Sequence, residues 1–88
     1  MAKIELYSGP MCPYCMMAKQ LLKRLDLAYE EYDVRRDQAK MDEMLARAQG
    51  ARTIPQVFIN DRHVGGYDAL STLHRSGELA DWLNSDGG

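Results

Sequence analysis

Two cysteines three residues apart, Cys12-Pro13-Tyr14-Cys15, sit where an alternating segment, Lys3-Ile4-Glu5-Leu6-Tyr7, gives way through Ser8-Gly9-Pro10 to a helical stripe. This placement constrains the fold more than any other feature, because it demands a strand, a tight turn and a helix start in immediate succession. Pro13 suits the first helical position, where a missing N–H leaves no bond unmade. Ala18, Leu21, Leu22 and Leu25 then share one helical face, with Lys19, Lys23 and Arg24 toward solvent and the C-terminal end. Cys12 falls at the N-cap, where a side chain accepts a hydrogen bond from an N–H two or three residues on and the helix dipole adds positive potential. Both effects favour the thiolate, the nucleophilic form of cysteine. Cys15, one turn inside, is close enough for a disulfide and is expected to be less exposed, as a resolving thiol is.

Composition decides how to read that pair. A secreted chain of 88 residues is expected to carry a framework of four to eight cysteines, whereas this one has two. Met1-Ala2-Lys3-Ile4-Glu5 contains no apolar signal-peptide core and no apolar run approaches a membrane span, so a cytoplasmic protein is expected. A net charge of −2 leaves no electrostatic footprint for nucleic acid. The cysteines also read as an inert buried pair or as half a zinc site. Zinc takes four ligands, however, and only His63 and His74 remain, neither with a second ligand at metal spacing, so no metal is expected.

The rest of the chain alternates further. Tyr29 to Val34 reads as a second strand, and Asp37 as the cap of a helix whose stripe is Met41, Met44, Leu45 and Ala48, stopped by Gly50. Val57-Phe58-Ile59 is a short buried strand, Asn60-Asp61-Arg62 a hairpin turn, and His63-Val64 the return, ending at Gly65-Gly66. Asp68 is placed to cap a third helix through Leu70 and Leu73. Gly77 interrupts it, and Leu79, Trp82 and Leu83 mark a last turn or two. Residues 1–84 read as one domain and Ser85-Asp86-Gly87-Gly88 as a flexible tail. The order β-α-β-α-β-β-α makes the first pair of strands parallel and the last antiparallel. The consistent solution is an α/β, four-stranded mixed sheet flanked by helices, the thioredoxin-like fold.

Two further segments carry chemistry. Thr53-Ile54-Pro55 leads into a buried strand, where a proline removes a ladder hydrogen bond. A trans proline that merely starts the strand is the commoner case. Paired with the cysteine motif, a cis Ile54-Pro55 bond is expected, turning the Ile54 N–H and C=O outward to an extended peptide. Gly65-Gly66-Tyr67-Asp68 reads either as a turn and cap, or as a place where a ligand backbone approaches closely, with Asp68 meeting an ammonium and nearby N–H groups a carboxylate.

Together these segments resemble the glutaredoxin family over nearly the whole chain: Ile4-Glu5-Leu6-Tyr7; Cys12-Pro13-Tyr14-Cys15 followed by Ala18-Lys19; Thr53-Ile54-Pro55-Gln56-Val57-Phe58-Ile59; and Val64-Gly65-Gly66-Tyr67-Asp68. The resemblance implies glutathione-dependent reduction of protein disulfides and of protein–glutathione mixed disulfides, by a monomer with glutathione as co-substrate and no tightly bound cofactor. It implies a cis Pro55, glutathione pairing with the Ile54 backbone next to Thr53, and Tyr14 beside the bound sulfur. Asp68 and the neighbouring backbone at Gly66 and Tyr67 would hold the γ-glutamyl end. Many relatives carry a lysine two or three residues before the first cysteine, but Ser8-Gly9-Pro10-Met11 has no charge, and Ala69 stands where many have a second acidic residue. Arg52 is the nearest cation by sequence to the substrate-facing turn and is expected to take the glycine carboxylate. Two rivals stay open: reduction by thioredoxin reductase instead of glutathione, and an iron–sulfur-bridged dimer held through Cys12. Met11, Met16 and Met17 border the site or fill space, with at least one expected to pack. His63 reads as a strand residue, His74 as a solvated helix residue and Trp82 as core or rim.

Overall fold

The computed structural model describes residues 2–84; the tail expected at 85–88 lies outside the described residues. Its elements run β1 (Ile4–Ser8), α1 (Pro13–Arg24), β2 (Glu30–Asp33), α2 (Gln38–Arg47), β3 (Gln56–Ile59), β4 (Arg62–Gly65), α3 (Tyr67–Ser76) and α4 (Leu79–Leu83). The sheet order is β2-β1-β3-β4. β1 and β2 are parallel, as a helical crossover requires, while β3 runs antiparallel to both β1 and β4. This is the mixed sheet of the thioredoxin-like fold expected from the element order. α4 is set off as a separate helix by Gly77, whose φ of 84° ends α3 in the left-handed region.

The period-2 alternation of side chains sorts the core into two halves. Ile4 and Leu6 of β1 and Val57 and Ile59 of β3 pack with Ala18, Leu21, Leu22, Leu70, Leu73 and Leu79 from the helices on one face. Tyr7 and Phe58 turn to the other face and meet Val34, Met44 and Ala48. The alternation in β1 reads as one buried and one wet face, yet all five of its residues are buried, because α2 covers the second face. Glu5 and Ser8 therefore need partners. Glu5 accepts from Arg47 at 3.0 Å, and the Ser8 hydroxyl donates to Glu31 at 2.6 Å.

Local signals set most helix ends, with two corrections. Asp37 caps α2, accepting from the Lys40 N–H at 3.1 Å. Gly50 does not stop that helix directly: Ala48 is the C-cap, and Gln49 takes the left-handed φ of 56°. The Gly50 N–H then reaches the Leu45 carbonyl at 2.7 Å, the closing bond of a Schellman turn. Asp68 does not cap α3 either. Gly65, with φ 122°, bends the chain at the end of β4, so extended Gly66 becomes the N-cap and Asp68 sits within the first turn.

Candidate active site

Cys12 caps α1 with an extended backbone (φ −118°, ψ 101°), and Pro13 occupies the first turn. Its sulfur accepts from the Cys15 N–H at 3.2 Å, the bond its N-cap position calls for. The two cysteines form a disulfide with Cα atoms 5.2 Å apart. Cys12 is half-buried, whereas Cys15 is 1% exposed against the sheet. An incoming thiolate therefore finds the Cys12 sulfur and not the other, and a Cys12 thiolate released there would lie in the positive field of the helix N-terminus.

Facing the sulfur is the turn before β3. Ile54-Pro55 is cis, and the Ile54 carbonyl oxygen lies 3.8 Å from Cys12 Sγ. Buried Gln56 anchors this turn: its amide nitrogen donates to the Thr53 carbonyl at 3.0 Å and to Thr53 Oγ1 at 3.2 Å. The Gln56 side-chain oxygen meets His63 Nε2 at 2.6 Å. His63, in β4, stacks on Phe58 with ring centroids 4.8 Å apart, and burial, with the Arg47 charge, pushes its pKa below the ordinary value.

The third wall is the start of α3. Tyr67 stacks on Tyr14 with centroids 6.4 Å apart and ring planes 27° from parallel. Leu70 is the first residue of α3 whose N–H finds a carbonyl one turn back, that of Gly66 at 3.1 Å. The amides of Tyr67, Asp68 and Ala69 have no such partner in the helix, and the dipole adds to their positive potential. Between these walls runs a cleft of about 420 Å³ lined by Tyr14, Thr53, Ile54, Pro55, Gly66, Tyr67, Asp68 and Ala69. Every expected substrate contact lines it except Arg52, which is exposed and outside the lining. Ala69, which stands where many relatives have a second acidic residue, lines it as well, so that wall carries the single carboxylate of Asp68.

The methionines depart from expectation. Met11, Met16 and Met17 are 99%, 56% and 40% exposed, so none of the three packs into the core. The inward face of α1 is already taken by Cys15, Ala18, Leu21 and Leu22, which leaves positions 16 and 17 on the outer face. Trp82 is partly buried against the α1–α3 half of the core, its ring 3.8 Å from the Arg62 guanidinium. Among the described residues no three His, Cys, Asp or Glu side chains come together to hold a metal.

A Cys12–Cys15 disulfide held at the end of a thioredoxin-like sheet, with an open cleft beside it, defines the class of thiol–disulfide oxidoreductases. Residues 4–64 match the protein family Glutaredoxin. The chain is 44% identical over 84 residues to a probable glutaredoxin of Synechocystis, covering 96% of both chains. It is 40% identical over 79 residues to Glutaredoxin 3 of Escherichia coli K12, covering 90% of this chain and 94% of that one. Among solved structures, the glutaredoxin of Brucella melitensis superposes with a TM-score of 0.82 at 39% identity, covering 100% of this chain and 94% of that one. A buckwheat glutaredoxin–glutathione complex gives a TM-score of 0.82 at 31% identity, covering 96% of this chain and 78% of that one. The chain belongs to the glutaredoxin family.

Proposed function

We propose that this protein is a glutathione-dependent reductase of protein disulfides and of protein–glutathione mixed disulfides. The observation that carries the reading is the course of the cleft, from Ile54, whose carbonyl lies 3.8 Å from the half-buried Cys12 sulfur, to the N-terminus of α3 with its exposed Asp68. Glutathione is an extended peptide with its sulfur in the middle and an ammonium and a carboxylate together at one end. Its cysteinyl backbone pairs with Ile54, beside Thr53 and Pro55. Its ammonium meets Asp68, and its γ-glutamyl carboxylate meets the amides of the first turn of α3 beside Gly66. Tyr14 and Tyr67 form the wall beside the sulfur. The glutathione bound in the buckwheat relative supports this assignment.

On a glutathionylated protein, the Cys12 thiolate attacks the glutathione sulfur. The protein leaves as its thiolate, and a second glutathione takes the first away as glutathione disulfide, regenerating Cys12. On a protein disulfide, Cys12 forms the mixed disulfide. The Cys15 thiolate then attacks the Cys12 sulfur, releasing the protein dithiol and leaving the Cys12–Cys15 disulfide for glutathione to reduce. The same reading makes the protein a cytoplasmic monomer with no resident metal, acting on disulfide-containing and glutathionylated proteins. A coupled assay tests it: turnover is expected with glutathione and glutathione reductase, and reduction by thioredoxin reductase alone would overturn it.

A further inference from the structure

We propose that Arg35, on the turn between β2 and α2, is the cation that receives the substrate's free carboxylate at the side of the site away from Asp68. This rests on the glutathione reading above and assigns the end of the ligand which that reading leaves without a partner. The loop from Ser8 to Met11 contains no charged residue, so the strand that leads into Cys12 brings no cation of its own. The sheet supplies one from its edge. Ser8 pairs with Asp33 at the end of β2, Tyr7 with Gln56 at the start of β3, and Val57 with Gly65 at the end of β4. The chain after β2, the Ile54-Pro55 turn and the start of α3 therefore share one end of the sheet. Arg35 approaches from the β2 edge, Asp68 from the β4 edge, and Ile54 stands between them.

Gly9 shows where the Arg35 side chain goes. A Cβ built on Gly9 would lie 2.7 Å from Arg35 Cγ, 3.0 Å from Ile54 Cδ1 and 3.4 Å from Arg35 Nε. Arg35 thus lies across the bare backbone of Gly9, beside the residue whose carbonyl faces Cys12 Sγ at 3.8 Å. The acid beside it is already engaged: Asp33 Oδ1 accepts the backbone N–H of Arg35 at 2.9 Å, and Asp33 Oδ2 pairs with the Arg36 guanidinium at 3.6 Å. Among the described residues Arg35 is exposed and its guanidinium makes no ion pair, although its neighbour does. Arg35, like Arg52, lies outside the cleft lining, but it shares the surface of Gly9 with Ile54, a wall of the cleft, and a planar guanidinium left unpaired there suits bidentate binding of a carboxylate.

Steady-state kinetics test the assignment with two substrates: a peptide–glutathione mixed disulfide, and the same compound with the glycine carboxylate blocked as its ethyl ester. Arg35→Gln is expected to raise KM for the free-carboxylate substrate about two- to fivefold, the range of a partly exposed ion pair. kcat should hold, the salt dependence of KM should flatten, and KM for the ester should not move. Arg35→Lys should recover most of the affinity, and Arg52→Gln should leave both substrates unchanged. If Arg35→Gln shifts both substrates equally, shifts neither, or if Arg52→Gln produces the carboxylate-specific loss, the assignment is overturned while the glutathione reading stands. If the wild type turns over neither substrate with glutathione and is reduced by thioredoxin reductase, the glutathione reading falls and takes this assignment with it.

Discussion

The polar groups beneath α2 and those around the cleft belong to one small sheet but are treated in opposite ways. Beneath α2, Arg47 donates to Glu5 at 3.0 Å and to the Tyr7 hydroxyl at 2.7 Å, and its guanidinium lies 4.1 Å from the Phe58 ring. The Tyr7 hydroxyl donates in turn to Glu43, and the Tyr32 hydroxyl reaches Glu5 at 3.1 Å. Among the described residues no buried side-chain nitrogen or oxygen lacks a partner. Burial, with the Glu43 bond, pushes the Tyr7 pKa up to about 12. Burial alone would raise Glu5 as well, but the bonds from Arg47 and Tyr32 and the Arg47 charge hold it below the ordinary carboxylate value. At the cleft and beside it, by contrast, the charged groups Asp68, in the lining, and Arg35, across Gly9, are exposed and without ion pairs among the described residues. A closed network fixes a covered sheet face, and an open one leaves partners for a ligand. Strongly shifted groups are often taken as marks of a site. Here several of them lie in the closed region, where the shifts report packing.

The sharpest break between the regions should come from the cysteines. Cys12→Ser is expected to reduce all activity to background. Cys15→Ser should keep removal of glutathione from proteins while losing reduction of protein disulfides, because only the latter needs an internal resolving thiol. If Cys15→Ser were the dead variant in the deglutathionylation assay, the roles would be reversed.

Arg47→Met tests the closed region. It leaves Glu5, whose side chain is 5% exposed, without its guanidinium, and should lower unfolding stability by about 3 kcal/mol in urea titrations. Turnover per folded molecule should hold. A loss of kcat at unchanged stability would show that the two regions are coupled.

Acid should act first at His63, which touches both regions through Phe58 and Gln56, and then at the carboxylates of the closed one. His63 is depressed from 6.5 by burial and by Arg47, so below that pH the unfolded chain takes up the proton first and stability begins to fall. Glu43, held down by the Tyr7 bond, and Glu5 both sit below 4.5, so their contribution is present above that value and is lost as pH falls through their folded pKa values. Chemical denaturation at pH 7, 5.5 and 4 should show a gentle loss and then a steeper one, and Glu5→Gln should flatten the steeper part. Unchanged steepness in that variant would locate the acid-sensitive groups elsewhere.

The smallest effect should come from Gly9→Lys. Any side chain at position 9 meets Arg35 and Ile54. Arg35 has to move aside, and one exposed cation replaces another. The KM for a glutathione mixed disulfide should change by less than about twofold, within the range of an exposed ion pair. A large fall would mean that position 9 delivers charge closer to the ligand than Arg35 does.

Much of the site was legible because its signals are local. Pro13 ahead of an apolar helical stripe marks a helix start with Cys12 as its cap, and Asp37 caps α2 through the amide of Lys40, three residues on. Pro55 and Gly65 likewise mark places where the backbone departs from regular structure, a cis bond before β3 and a positive φ at the end of β4. The alternation in β1 and β3 fixed which residues share a face, but not that both faces would be covered. That depended on α2 crossing the sheet, and it converted Glu5 from a solvent residue into a buried one that needs Arg47. Likewise the sequence named Arg52 as the nearest cation, since adjacency along the chain is all that a sequence measures. Only the parallel pairing of β1 with β2 lays Arg35 across Gly9, bringing a charge 26 positions away to the loop before Cys12. Capping and turn chemistry act within a few residues and can be read from them, whereas charge acts through space and its partners are chosen by strand order.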